Sequence, residues 1–161
     1  MSRPFSDLSM LSQTKDTDAR RQWMGVLAKS DESRLAHFWA DLQSLPAWDY
    51  LRRPEVGLVM VRGRMGGDGG PFNLGEMTVT RCSVRLQNGV VGHAWVAGRS
   101  ARHAEMAAIA DALMQDEDWR ALVDEKLLAP LQARLDHDRA TDARKAAATR
   151  VDFFTMVRGE D

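Results

Sequence analysis

The sequence predicts an α+β fold, in which a small antiparallel sheet of three to four strands packs with an N-terminal helical hairpin and C-terminal helices. Three observations carry that prediction. Two apolar stripes at helical spacing lie between Asp18 and Ser44, a two-residue alternation runs from Gly75 to Leu86 and resumes after Asn88-Gly89, and an alanine-rich helical pattern follows from Ala101. The simplest strand arrangement is antiparallel and in sequence order.

Residues 1–16 are rich in Ser, carry Pro4 and show little periodicity; they read as a flexible arm ahead of a single α+β domain over 17–149. Thr17 is placed to cap a helix from Asp18 to about Lys29, whose Trp23, Met24, Val26 and Leu27 form an apolar stripe. A second helix from Ser30 to about Ser44 sets Leu35, Phe38, Trp39 and Leu42 at i, i+3, i+4 and i+7, and Pro46 stops it. His37 lies beside that stripe with no second ligand four residues away, so it reads as a surface histidine of the helix.

Strands are expected over about 48–53, 57–65, 75–86 and 90–98, with Pro54-Glu55-Val56-Gly57 turning the first into the second. Asn88-Gly89, read as a two-residue type I′ turn, sets Leu86 beside Val91, Val84 beside His93, Cys82 beside Trp95 and Thr80 beside Ala97. Arg81, Ser83 and Arg85 then point to the wetter face. Cys82 beside His93 suggests a nucleophile and its base, but a packed thiol and a core histidine explain the same positions, and neither is taken as catalytic.

The helix from Ala101 to about Gln115 lays Met106, Ile109 and Leu113 on the dry face of the sheet, and fully burying each is worth roughly 1.5–3 kcal/mol. Its start is the best chemical candidate in the chain. Free backbone N–H groups and the positive end of the helix dipole meet Gly98, Arg99, Ser100 and Arg102, a set suited to phosphate or phosphonate oxygens; an ordinary serine-capped helix with solvated arginines is the competing reading, since no known phosphate-loop fingerprint is present. His103 stands at the same helix start, as a contact for an anion or a partner chain. His103 and Glu105, two positions apart on a helix, diverge and cannot grip one ion, so no metal site is expected. Arg64, just ahead of the glycine run from Gly66 to Gly70, is a second anion candidate, with a plain flexible hairpin as its rival. The substrate- or anion-binding candidates are therefore Arg64, Arg99, Ser100, Arg102 and His103, and no catalytic residue is assigned.

A short helix from Glu117 to about Lys126 comes next, Pro130 fits the first turn of another, and a charged, alanine-rich stretch runs from Arg134 to Arg150. Residues 150–161 form an apolar segment, and Phe153, Phe154, Met156 and Val157 are candidates for burial in a partner's groove or on its sheet edge, with packing into the domain's own core as the alternative.

Composition narrows the function classes. Lys and Arg number 22 against 23 Asp and Glu, a formal charge of −1, so the general phosphate attraction of a nucleic-acid binder is absent. The single cysteine, Cys82, excludes an internal disulfide and a cysteine-based zinc cluster, and no stretch of 18 apolar residues occurs. A cytoplasmic protein with no nucleic-acid or membrane association is expected.

Several runs carry a family likeness: Arg21-Gln22-Trp23-Met24, Arg64-Met65-Gly66-Gly67, Leu74-Gly75-Glu76, Gly98-Arg99, His103-Ala104-Glu105, Asp111-Ala112-Leu113-Met114 and, above all, the closing run from Arg150 to Gly159. Over about residues 20–160 the chain resembles the PhnG family, the G subunits of the bacterial carbon–phosphorus lyase system. The resemblance implies a role in phosphonate catabolism, within a core complex of PhnG-, PhnH-, PhnI- and PhnJ-like subunits. With PhnH, PhnI and PhnL-like partners, such a subunit serves the transfer of an alkylphosphonate to ribose C1 of ATP with release of adenine. ATP and phosphonate are then substrates of the complex, no cofactor is bound by this chain alone, and the chain is not active by itself. The resemblance carries over no catalytic residue. An independently active phosphate-handling enzyme and a pure scaffold without substrate contact are the alternatives.

Overall fold

The computed structural model describes the backbone over residues 7–42 and 44–149 and has the expected α+β architecture. Its elements are α1 (Asp7–Lys29), α2 (Glu32–Asp41), β1 (Trp48–Arg64), β2 (Pro71–Leu86), β3 (Val91–Ala97), α3 (Ala101–Met114), α4 (Glu117–Val123), one π-helical turn (Asp124–Leu128) and α5 (Ala129–Ala148). The three strands form one antiparallel sheet in the order β1-β2-β3. Residues 1–6 and the apolar segment 150–161, with Phe153, Phe154, Met156 and Val157, lie outside the described residues.

The first helix begins at Asp7, so Thr17 sits within it and not at its cap, and the helix takes in residues 7–16 of the expected arm. No Gly or Pro interrupts that stretch, and its polar residues each oppose helix formation by only a few tenths of a kcal/mol. Two expected strands are also one. Pro54 does not turn the chain, because β1 is an edge strand with an unpaired outer side, and register shifts between Tyr50 and Arg52 and between Arg52 and Glu55 absorb the residue that has no donor.

The β2–β3 hairpin differs by one residue from expectation, and that residue changes its faces. A type I′ turn needs positive φ at both Asn88 and Gly89, but only Gly89 has it, at +89°. The loop has three residues, Gln87 to Gly89, closed by bonds from the Leu86 N–H to the Val90 carbonyl and from the Gly89 N–H to the Leu86 carbonyl. Asn88 is held instead by its own amide: Oδ1 accepts from the Val90 N–H at 3.1 Å and Nδ2 donates to Asp116 Oδ2 at 2.7 Å. The partners are therefore Val84 with Gly92, Ser83 with His93, Cys82 with Ala94, Arg81 with Trp95 and Thr80 with Val96. Cys82 stays in the core, whereas His93 and Trp95 move to the opposite, open face.

Thr80, Cys82, Val84, Leu86, Ala94 and Val96 make the buried face. The alanines of α3 let it lie directly on this face; a Cβ at Gly92 would stand 2.0 Å from the Ala108 carbonyl oxygen and 2.8 Å from the Ala112 Cβ. Leu27 of α1, Leu35 and Phe38 of α2, and Val123, Leu127, Leu128 and Leu131 around the π turn close the core over α3. Burial pushes the Cys82 thiol up to about 11, with the Glu105 charge adding to it, and the thiol donates to the Arg52 carbonyl at 3.4 Å. Burial, reinforced by its 2.7 Å bond to Glu105, raises the Tyr50 hydroxyl to about 12.

Candidate functional site

The start of α3 folds as its sequence indicates, and its polar groups are already engaged. Ser100 caps the helix, its Oγ accepting from the His103 N–H at 3.0 Å while its hydroxyl donates to Glu32 Oε2 at 2.5 Å. A carboxylate of the chain itself thus occupies the favourable place at this helix start. His103 is buried, and its Nε2 bonds the Leu27 carbonyl oxygen at 2.8 Å. It ties α3 to the end of α1 and does not face a ligand in solvent, which corrects its placement among the substrate candidates. Arg99 and Arg102 remain exposed, with no hydrogen-bonded or ion-paired partner among the described residues.

Arg64 is not brought to this group. It pairs with Pro71 at the far end of the β1–β2 ribbon, and Nη1 donates to the Gly69 carbonyl at 3.2 Å. The chain enters α3 where the Gly98 N–H meets the Thr78 carbonyl, seven residues along β2 from Pro71, a separation of about 23 Å at some 3.3 Å per residue. The five candidates thus divide into two exposed arginines at α3, two residues bonded within the fold, and one distant arginine.

The corrected register gathers a polar set that the type I′ reading had dispersed. On the open face of the sheet, Arg52, Ser83 and His93 form one row and Glu55, Arg81 and Trp95 the next. Ser83 Oγ and His93 Nδ1 are 2.8 Å apart, Arg81 lies 5.3 Å above the Trp95 ring, and Arg52 and Arg81 both bond Glu55. Those two hydrogen bonds hold the Glu55 carboxyl below the usual range. Two guanidinium groups sharing one carboxylate leave the rows cationic, suited to an anion. Among the described residues no carboxylate is bonded to the His93 ring, so Ser83 and His93 have no third member of a hydrolytic triad there.

The other feature missed in the sequence is Asp111. It is fully buried in α3 and accepts Arg20 Nη2 at 2.7 Å and Nε at 3.1 Å, Trp23 Nε1 at 2.8 Å and the His93 backbone N–H at 2.8 Å. One carboxylate therefore joins α1, α3 and β3. Its only signal in the sequence is a charge amid Ala107–Met114. Among the described residues, no group of three His, Cys, Asp or Glu side chains is arranged to hold a metal ion. No described helix is long and apolar enough to cross a membrane. A concavity of about 820 Å³ lies between α2 and the π turn, lined by Arg34, His37, Phe38, Leu122 and Leu131 among others.

The family model for "Phosphonate metabolism protein PhnG" matches residues 18–159, from within α1 through the sheet and the other helices to most of the closing apolar segment. The chain is also 47% identical over 155 residues to the "Alpha-D-ribose 1-methylphosphonate 5-triphosphate synthase subunit PhnG" of Rhizobium meliloti (strain 1021), covering 96% of this chain and 99% of that relative. With the likeness running unbroken from α1 through the closing segment, the chain belongs to the PhnG family of phosphonate metabolism proteins.

Proposed function

We propose that this chain is a subunit of a ribose 1-methylphosphonate 5-triphosphate synthase, one that builds the assembly and helps position an anionic substrate. The observation that carries the reading is the 47% identity, over nearly the full length of both chains, to a relative named as a subunit of that synthase. The reaction joins a phosphonate oxygen to ribose C1 of ATP while the bond from C1 to adenine breaks, its electron pair and a proton leaving with the base. PhnH-, PhnI- and PhnJ-like subunits and a PhnL-like protein are the proposed partners, in the cytoplasm, with ATP and phosphonate as substrates of the complex and no cofactor held by this chain.

The fold supports a positioning role. Both substrates and the product carry several negative charges, and Arg99 and Arg102 stand exposed with no neutralising partner among the described residues. A guanidinium pair of this kind binds phosphate or phosphonate oxygens by charge-assisted hydrogen bonds. Arg64, distant from them, serves a separate contact, and residues 150–161 bind a neighbouring subunit.

The test is co-expression with the partner proteins, followed by adenine release from ATP and methylphosphonate. Release should need the partners as well as this chain; turnover by this chain alone would make it an independent enzyme. Arg99→Ala with Arg102→Ala should lower turnover of the intact assembly at least tenfold. Unchanged turnover would leave a scaffold without substrate contact.

A further inference from the structure

From the structure we infer that the β1–β2 ribbon beyond the end of β3 is a docking element, enclosed on both faces by a cleft of a different subunit of the synthase. The inference rests on the subunit reading above. β3 ends opposite Val79, so Leu58–Arg64 and Pro71–Thr78 continue as two strands with no third neighbour among the described residues. A two-stranded ribbon in water is marginal by itself and needs a further strand or a packed face.

Among the described residues no helix or further strand covers either face, and each face carries exposed apolar side chains. One carries Leu58 and Met60, opposite Thr78 and Glu76, an extension of the face that α3 roofs lower down. The other carries Val59, Val61 and Met77, and Phe72 and Leu74 gather over Gly63 toward the tip. Leu58 is 62% exposed and Leu74 65%. Along the outer edge of β1 the ribbon also presents unpaired backbone groups, to which an extended segment can add as a strand.

The two-sidedness selects the occupant. A second copy, stacking ribbon on ribbon or pairing β1 with β1 about a two-fold axis, buries at most one face of each and leaves the other in water. A different chain with an apolar cleft buries both. At about 3.3 Å per residue and a width of about 10 Å, the eight residues Pro71–Thr78 of β2 give each face a footprint of about 260 Å²; together the faces reach about two-thirds of the roughly 800 Å² that one partner contributes to a standard interface.

The experiment places one charge on each face, Leu58→Asp and Leu74→Asp, with Ala140→Asp on the exposed surface of α5 as control, and measures co-purification with the other synthase subunits. Each ribbon variant should lower recovery of the assembly at least tenfold while the isolated chain keeps its thermal midpoint, and the control should assemble normally. Leu58→Thr and Leu74→Thr, which suit a strand, repeat the measurement should a charged variant fold poorly. Amide exchange over 57–64 and 71–78 should slow on assembly. Normal assembly by both ribbon variants, or loss at one face only, overturns the enclosure. If the wild-type chain binds no synthase subunit and adenine release proceeds without it, the subunit reading itself falls, and the inference with it.

Discussion

The two ends of the β1–β2 hairpin follow the same two-residue alternation and have opposite surroundings. In the lower half, Thr80, Cys82, Val84 and Leu86 lie under α3, with β3 alongside and Asp111 locking α1 to both. In the upper half, Leu58 and Met60 continue the same face into solvent. Alternation therefore specifies which side chains share a face but not what covers it. What covers the lower half is a helix with alanines and a buried carboxylate, meeting Gly92 of β3 at the closest approach, and the upper half has none of these.

The contrast breaks most readily at Asp111. With Ala there, Arg20, Trp23 and the His93 N–H lose their shared acceptor, and one side of a buried pair is left uncompensated. Urea unfolding of Asp111→Ala should show a loss of about 3–5 kcal/mol. A loss below about 1 kcal/mol would mean that α1 is not held through this carboxylate.

Gly92→Ala tests the close contact of helix and sheet. The new methyl would meet the Ala108 carbonyl oxygen at 2.0 Å, and backbone cannot move aside as a side chain does. The expected loss is about 3 kcal/mol, the upper end of the cost of overpacking, measured by the same unfolding curve. Gly57→Ala, on the ribbon with nothing within 4 Å of its new methyl, is the matched control and should change stability by less than about 1 kcal/mol.

Alkaline pH should also act through the covered half. Cys82, raised from 9.0 to about 11, and Tyr50, raised from 10.0 to about 12, are both held protonated by the folded state. The native state then binds more protons than the unfolded chain, so stability falls as pH rises. The contribution of Cys82 is complete below about pH 9 and disappears toward 11; that of Tyr50 is complete below about 10 and disappears toward 12. Urea midpoints should stay level from pH 7 to 9 and fall above it, and Cys82→Ala should delay the fall. Iodoacetamide at pH 8 should label Cys82 only as fast as the protein opens, since the thiol is buried and protonated.

The sequence disclosed what local chemistry determines and missed what depended on distant residues. The stripe of Leu35 and Phe38, the Ser100 cap and the burial of Cys82 and Val84 follow from spacing and residue type, and all are present. The hairpin register turned on whether Asn88 takes positive φ, and its amide is held by Asp116, 28 residues away. Pro54 looked like a turn because edge position is a property of the whole sheet. His103 looked like a ligand contact because its partner, the Leu27 carbonyl, lies 76 residues earlier. The two rows on the open face, with Ser83 beside His93 and Arg81 beside Trp95, were hidden by the same one-residue slip.

The smallest expected effect on the isolated chain is on the ribbon, and it sharpens the comparison most. Leu58→Thr with Met60→Thr removes two large side chains that touch little in the folded chain, so stability should move by no more than about 0.5 kcal/mol. In the covered half, truncating a buried leucine such as Leu113 costs about 2–5 kcal/mol. Solubility should respond differently, because a long apolar edge strand invites pairing with other copies. Light scattering against concentration should show less self-association in the double variant than in wild type. A marked loss of stability would instead show that the ribbon packs on its own chain, and the two halves of the hairpin would no longer be distinguished by what covers them.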